Sequence, residues 1–286
     1  MKLSKTIALL LSCTLLLLTA GCGASPKPAP SAAPEVTSTP AVTATPEPTA
    51  TPEPTPTATP EPMFTNPLTG EQTYTDYSQT RPVAIMVENN HWDDGTLIAQ
   101  GGLSQADIVY EMQVESITRN MFLFMDTDEL NNVFPIRSAR SYFVSAALSY
   151  DAIFAHCGKS GEGLEFADTM LVNYTDADDI EVHEGSCGFR QYDAPYFGAV
   201  HSMTTTGERL QDLFAQYGTR TTHRTDGYDY GLHFTEDAAP VNGEAAGSIR
   251  VVFPTNKITD FSYDAEKGGY TSTQWNSAYT DGNTGE

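Results

Sequence analysis

The segment RPVAIMV, at residues 81–87, decides how this chain of 286 residues begins to fold. Its apolar residues run without interruption, which is typical of a buried strand rather than of a strand with one face in water. Two further apolar segments, residues 108–114 and 121–125, follow after glycine-rich or polar stretches and predict two more strands. The folded part of the chain is therefore expected to start with a sheet.

Helical spacing appears after these strands. A helix is predicted at residues 138–149, a strand at 151–156, and further helices at 161–172 and 206–217. In the first helix, Phe143, Ala147 and Tyr150 recur at helical spacing, and Ser138 can cap the first turn. Strands that alternate with helices predict an α/β or α+β domain over residues 63–237, with a mixed sheet and flanking helices.

The pattern changes after residue 238 to short strands. Residues 249–253, 259–263 and 270–274 predict strands, and Lys267-Gly268-Gly269 supplies a turn. Two or three strands rarely bury a core of their own. We therefore expect residues 238–286 to be the start of a smaller β-rich domain that continues beyond Glu286.

The first 21 residues have the order of a secretory signal peptide. Lys2 and Lys5 precede an apolar run at residues 7–18, which is short for a membrane span, and Thr19-Ala20-Gly21-Cys22 follows. This junction resembles the lipobox of bacterial lipoproteins, in which the cysteine after the cut is acylated. The prediction is a lipidated Cys22 that anchors the protein to the outer face of the bacterial cytoplasmic membrane. An uncleaved anchor, or a conventional signal with an incidental Cys22, are the alternative interpretations.

Residues 22–62 predict a disordered tether. Residues 23–62 contain 12 of the 18 prolines, and the remainder is almost entirely Ala, Ser, Thr and Glu. Such a composition cannot bury enough apolar surface to offset the entropy of ordering, and proline lacks the backbone donor that helices and sheets need. The segment is expected to lift the folded part off the membrane.

Removal of residues 1–21 leaves 13 Lys and Arg against 37 Asp and Glu, a formal charge of −24. Nucleic acid and anionic lipid surfaces are poor partners for a field of this sign. Solubility explains the charge most simply, and a cation-binding surface is the alternative, although no Asp-x-Asp-x-Asp-Gly loop is present. The sequence predicts no cofactor and no metal site.

Several motifs resemble the YerB-like bacterial lipoproteins, which carry domain of unknown function number 3048. They are NPLTG at 66–70, RPVAIMV at 81–87, GLSQADIVYE at 102–111, ITR at 117–119, PIRSARSYF at 135–143 and YDAIFAH at 150–156. The family's arginine-containing segment that leads to Pro-His corresponds here to Phe189-Arg190 and Val200-His201, without the proline. The resemblance covers residues 66 to about 235. It implies a surface lipoprotein of two domains and no established reaction.

Arg137 and Arg140 give the most specific indication of a binding site in the sequence. Arg119 is a third candidate anion-binding residue. Arg137 and Arg140 are three residues apart at the start of the predicted helix, where cations are unfavourable unless an anion accompanies them. An external phosphate or carboxylate would make this a binding site. The alternative is a structural network with an internal acid, and the candidates are Asp107, Glu111 and Glu115.

A second group of candidate polar-site residues is more scattered. It comprises Asp107, Glu111, Asp151, His156, Lys159, Arg190 and His201. His156 and Lys159 follow a predicted strand, at the kind of strand end where α/β sheets bind ligands. Ser160 and Ser202 are available as nucleophiles, but neither lies in a Gly-x-Ser-x-Gly motif.

Cys157 and Cys187 are an exported pair that either forms a disulfide or remains two separate buried thiols. Together with His156, His183 and His201 they lack the spacing of a zinc site.

Two hypotheses follow for the function. The first is a binding or scaffold lipoprotein that contacts an anionic envelope component or a protein partner through the arginines. The second is an enzyme that acts on cell-wall polymer, with His156, His201 or an acidic residue as acid or base. Convergence of Arg119, Arg137, Arg140, His156 and His201 in one pocket would favour a ligand or catalytic site, and dispersal would favour a binding or structural protein.

Overall fold

The computed structural model of the chain describes residues 63–159, 179–192, 201–235 and 243–286. These residues belong to one compact unit, Ala58–Glu286. The signal peptide, Cys22, the tether and the helix predicted at residues 161–172 lie outside the described residues. In the described ranges no helix combines the length and apolar character needed to cross a membrane.

The first seven strands build the central part of the unit. They are β1 (Phe64–Thr65), β2 (Gln72–Thr73), β3 (Val83–Asn89), β4 (Ile108–Val114), β5 (Ile117–Phe124), β6 (Ile153–His156) and β7 (Asp179–Glu181). β1 pairs with β2, and the other five strands form one sheet in the order β4-β5-β3-β6-β7. β3 is antiparallel to β5 and parallel to β6, which is parallel to β7. The sheet is therefore mixed, and β3, all seven of whose residues are buried, lies at its centre.

The two faces of this sheet carry two separate apolar cores. Helix α1 (Ser141–Leu148) contributes Phe143 and Val144 to one core, and helix α2 (Gly207–Tyr217) contributes Leu210 and Phe214 to the other. Alternate residues of β3 enter the two cores, because successive side chains of a strand point to opposite faces. The structure thus confirms the prediction of a mixed sheet with flanking helices, in an α+β arrangement.

The predicted start of α1 is wrong, whereas that of α2 is right to one residue. In α2 the side chain of Thr206 accepts a hydrogen bond from the Arg209 amide at 3.3 Å, and Gly218 ends the helix in the left-handed conformation. α1 begins only at Ser141. Its N-cap residue is Arg140, which makes no side-chain capping bond, so Ser138 is not the cap.

Residues 135–139, which we call the inserted segment, explain this late start. β3 and β6 pair directly only from Val83 to Ile85. Beyond that point the inserted segment lies between them: the Glu88 amide donates to the Pro135 carbonyl at 2.9 Å, and the Cys157 amide donates to the Arg137 carbonyl at 2.9 Å. Extended backbone is needed for these bonds, so the helix cannot begin earlier.

The remaining strands are antiparallel. They are β8 (Phe189–Arg190), β9 (Met203–Thr204), β10 (Ser248–Val252), β11 (Ile258–Asp264), β12 (Gly269–Gln274) and β13 (Ser277–Ala278). β8 pairs with β9, and β10 to β13 form a four-stranded meander. The structure therefore contains the three strands predicted after residue 238, and Gly268, with φ of 67°, lies in the predicted turn.

A polar interior joins this meander to the central sheet. Tyr279 donates to Gln100 Oε1 at 2.6 Å, and Asn120 donates to the Tyr279 hydroxyl at 2.5 Å. Thr259 donates to Glu111 Oε2 at 3.0 Å, and Lys257 forms an ion pair with the same carboxylate. Buried polar groups need such partners, so the two sheets share one set of hydrogen bonds.

Candidate functional site

The candidate site lies at the carboxyl ends of β3 and of the inserted segment. It consists of Glu88, Glu115, Arg119, Arg137 and Arg140, which we call the arginine cluster. Glu88 and Arg119 are direct cross-strand partners in β3 and β5, and both are almost completely buried. Such strand ends, where a parallel pair separates, are the usual location of ligand sites in sheets of this kind.

Glu88 is the central anion of the cluster. Its Oε2 is 2.8 Å from Nε of Arg137 and 3.5 Å from Nδ1 of His201. Burial would raise the pKa of this carboxyl, but His201, Arg137 and Arg119 hold it below its ordinary value. Glu88 is therefore ionised at neutral pH and fixes the position of Arg137.

Arg119 is the least satisfied cation of the cluster. Its side chain donates from Nη1 to the Ser138 carbonyl at 3.0 Å, but its buried Nε has no hydrogen-bond partner among the described residues. Burial, followed by repulsion from Arg137 and Arg140, lowers the pKa of Arg119 to about 10. The cluster thus holds three guanidinium groups against two carboxylates.

Arg140 forms the outer edge of the cluster. It binds Glu115 with two parallel bonds, Nε to Oε1 at 2.8 Å and Nη2 to Oε2 at 3.1 Å. The Arg140 side chain is only 12% exposed and also donates from Nη1 to the Ala139 carbonyl at 2.9 Å, whereas Glu115 is 61% exposed. The guanidinium is consequently held by the protein on one side, while its carboxylate partner lies largely in solvent.

His156 and Lys159 form a separate group on the neighbouring strand. Nδ1 of His156 is 2.8 Å from the Gly158 carbonyl, and Nε2 is 2.5 Å from Asp179, which also accepts from Lys159 at 2.9 Å. Both ring nitrogens of the buried imidazole therefore face oxygen atoms of the protein. Burial would raise the pKa of Asp179, but His156 and Lys159 hold it below its ordinary value. The group ties β6 to β7.

The other predicted polar-site residues lie elsewhere. Asp107 accepts from Asn66 and from the Met125 amide, both at 2.6 Å. Glu111 belongs to the polar interior beneath the meander. Asp151 pairs with Arg81, Arg220 and His223, and Arg190 pairs with Glu184 at 3.4 Å. The structure does not bring these four residues into the arginine cluster.

The arginines and His201 therefore converge, whereas His156 does not join them. Of the three internal acids proposed from the sequence, Glu115 pairs with Arg140. In the described structure Asp107 and Glu111 pair with other groups. Glu88 was missed as the partner of Arg137, and Asp179 as that of His156. The only available signal for Glu88 was a carboxylate directly after the apolar run of β3.

Other sequence hypotheses concern the cysteines, the serines and metals. Cys157 and Cys187 are free thiols, so the structure contradicts the disulfide hypothesis; of the two thiols Cys187 is buried, whereas Cys157 is only half-buried. Ser202 is completely buried, and Ser160 lies outside the described residues. Within the described ranges, no three His, Cys, Asp or Glu side chains are grouped so that they could hold a metal.

A cavity of about 270 Å³ lies at the other end of β3, where Tyr77, Arg81 and Gln211 are among its lining residues.

Comparison with known proteins places these features in a family. The family model described as "Protein of unknown function (DUF3048) N-terminal domain" matches residues 68–220. The Bacillus subtilis protein named "Putative lipoprotein YerB" is 32% identical over 224 residues, which are 77% of this chain. The chain spans 63% of the length of that relative. The crystal structure of YerB from Bacillus subtilis superposes with a TM-score of 0.60 at 27% identity, covering 78% of this chain and 71% of that chain.

Proposed function

This chain belongs to the family of proteins of unknown function defined by the DUF3048 N-terminal domain, and from that premise we propose that it is an extracytoplasmic lipoprotein that binds an anionic component of the cell envelope. The arginine cluster is the proposed binding site. The lipid on Cys22 and the tether hold this site near the outer face of the membrane. The Bacillus subtilis relative, whose name is "Putative lipoprotein YerB", supports the anchor.

The observation that carries the proposal is the excess of positive charge in the cluster. Three guanidinium groups meet two carboxylates, and one of those carboxylates, Glu115, is largely exposed. A buried arginine whose Nε has no hydrogen-bond partner in the described part of the chain is costly to maintain, and apolar replacements of such buried charges are often neutral or stabilising. Binding of an anionic ligand explains why a buried arginine lies at this position, whereas its contribution to folding does not.

The same geometry favours binding over acid and base catalysis. Glu88 has a pKa held below its ordinary value, which makes it a weak proton acceptor at neutral pH. Both ring nitrogens of His156 are engaged with acceptors, and Ser202 is buried. The wall-active enzyme therefore remains the less supported alternative.

The test is co-sedimentation of the full chain, kept in mild detergent, with purified cell-envelope fragments at about 0.15 M salt, where surface charges are screened beyond about 8 Å. We expect the Arg140→Ala variant to remain in the supernatant while the wild type sediments. Arg250→Ala is the matched control, because Arg250 also forms a two-bond pair with a carboxylate, Asp260, at the surface. Equal sedimentation of wild type and Arg140→Ala would contradict the proposal.

The anchor is tested separately by metabolic labelling with a palmitate analogue. We expect the wild-type chain to take up the label and the Cys22→Ala variant to take up none. Equal labelling of both proteins would contradict lipidation at Cys22 without affecting the arginine cluster.

A further inference from the structure

Glu115 occupies the position that an incoming anion would need. Among the residues that the structure describes, its hydrogen-bond partner is Arg140, at 2.8 and 3.1 Å, and 61% of its side chain is exposed. The Arg140 guanidinium holds the pKa of Glu115 below its ordinary value, so the residue is a carboxylate at neutral pH. Because the Glu115 carboxylate lies largely in solvent, an incoming anion can compete for Arg140 from the solvent side.

The orientation of the Arg140 guanidinium does not depend on its pair with Glu115. Arg140 donates from Nη1 to the Ala139 carbonyl at 2.9 Å, and its side chain is only 12% exposed. The guanidinium fork of Nε and Nη2 therefore keeps its orientation when Glu115 leaves. Behind it, the buried Nε of Arg119 lacks a hydrogen-bond partner among the residues that the structure describes, so positive charge remains to attract an anion.

We propose that Glu115 is a built-in competitor at the arginine cluster, and that the ligand group which replaces it is an isolated carboxylate on an otherwise neutral molecule. This inference rests on the proposed anion-binding function and names the chemical class of its ligand. A planar carboxylate reproduces both bonds that Arg140 now makes to Glu115, atom for atom.

The charge of the whole chain argues against a dense polyanion. After loss of residues 1–21 the chain carries 13 basic and 37 acidic residues, a field that repels long polymers with one negative charge per unit. A single carboxylate on a neutral sugar or peptide meets little of this repulsion. Tyr142, two residues after Arg140 and 41% exposed, offers an apolar surface to the neutral part.

The experiment is a titration of the full chain, observed by the melting temperature and by NMR of the arginine side chains. The probe is N-acetylmuramic acid, a sugar with one lactyl carboxylate, and its methyl ester is the neutral control. Glycerol 3-phosphate tests a phosphate of similar size. We expect binding of the free acid, and no binding of the ester.

Two variants test separately the role of Glu115 as a competitor and the recognition of the carboxylate by Arg140. Glu115→Gln is expected to tighten binding of the acid by about 3- to 5-fold, because it removes a competitor bound by up to about 1 kcal/mol. Arg140→Lys is expected to weaken binding on the order of tenfold, because lysine cannot form the two parallel bonds. Asp260→Asn, at the matched surface pair with Arg250, is expected to change nothing.

Three results would overturn the inference. Glycerol 3-phosphate that binds at Arg140 more tightly than the acid would keep the proposed anion-binding function and reject the carboxylate. Unchanged affinity of Glu115→Gln for the acid would reject the role of Glu115 as competitor. If wild type and Arg140→Lys both fail to bind either anion and also sediment equally with envelope fragments, the proposed function fails together with its ligand class.

Discussion

The arginine cluster and the group around Asp151 are both built from several cations and few carboxylates, but they treat the carboxylate differently. Asp151 is 12% exposed and lies 2.8 Å from both Arg220 and His223 and 3.4 Å from Arg81. Glu115 is 61% exposed and, among the described residues, is hydrogen-bonded by Arg140. One carboxylate is enclosed by its partners, whereas the other lies largely in solvent.

The arginines of the Asp151 group are also tied to the backbone. Arg81 donates to the Asp151 carbonyl at 2.5 Å and to the Arg220 carbonyl at 2.7 Å, which joins the turn after α1 to the loop after α2. His223 completes this closure, with Nε2 at 2.8 Å from the Tyr230 hydroxyl and its ring stacked on Tyr228. The comparison teaches that exposure of the anion, more than the number of cations, separates a structural ion group from a candidate binding site.

The largest expected effect is a loss of stability on disruption of the Asp151 group. Asp151→Asn should lower the free energy of unfolding by about 3 to 5 kcal/mol, because it leaves several cations without their shared carboxylate. Asparagine is chosen because Asp151 has φ of 48°, a conformation that asparagine tolerates. Urea unfolding followed by circular dichroism measures the change. A loss below about 1 kcal/mol would remove the distinction between the two groups.

Acidification should weaken the fold through the carboxylates that are held ionised. The pKa values of Asp151, Asp179 and Glu88 lie below their ordinary values, so the unfolded chain takes up protons first as the pH falls. Their stabilisation is present above about pH 4 to 5 and is lost below it, by about 1.4 kcal/mol for each unit of pKa difference. Asp107, whose pKa is raised by burial, acts in the opposite sense.

Unfolding midpoints in urea between pH 7 and pH 3 measure this dependence. The Asp151→Asn variant should show a shallower decline than the wild type, because it lacks one of the contributing groups. An equally steep decline in both proteins would mean that Asp151 contributes nothing to the pH dependence.

Arg119→Met should change stability little while it weakens ligand binding. Methionine fills much of the same volume, and it removes a buried cation that Arg137 and Arg140 repel. We expect the free energy of unfolding to stay within about 1 kcal/mol of the wild type. Denaturation and envelope co-sedimentation of the same preparation test both parts. A loss comparable to that of Asp151→Asn would assign Arg119 to the structural class.

The smallest effect is expected for Asp260→Asn. Asp260 accepts two bonds from Arg250, at 2.6 and 2.8 Å, but Arg250 is 64% exposed. We expect only a small loss of stability at low salt and a smaller one at high salt, because salt screens exposed charges. Paired denaturation curves at the two salt concentrations would reveal a larger structural role if the loss persisted in high salt.

Much of the fold follows from local patterns in the sequence. The apolar run of β3 and the short β-rich segments after residue 238 predict their strands, because apolar continuity and alternation are properties of neighbouring residues. Thr206 and Gly218 mark the ends of α2 for the same reason. The start of α1 could not be predicted, since the inserted segment is held extended by bonds to β3 and to the end of β6.

The candidate site, like the fold, could be predicted from the sequence only in part. Two neighbouring arginines in an acidic chain indicate a special location, and Glu115 was among the internal acids considered. The pairing of Arg137 with Glu88 depends on the register between β3 and the inserted segment, and that of His156 with Asp179 depends on the register between β6 and β7. Composition and spacing carry no information about such registers.

The shared polar interior beneath the meander has a consequence for recombination among relatives. A chimera that joined residues 238–286 to the N-terminal part of another family member would have to match Gln100, Glu111 and Asn120 with the incoming Thr259 and Tyr279. A mismatch would leave buried donors or acceptors unsatisfied, at about 1 to 3 kcal/mol each. The two segments are therefore expected to be inherited together, with compensating changes on both sides of their contact.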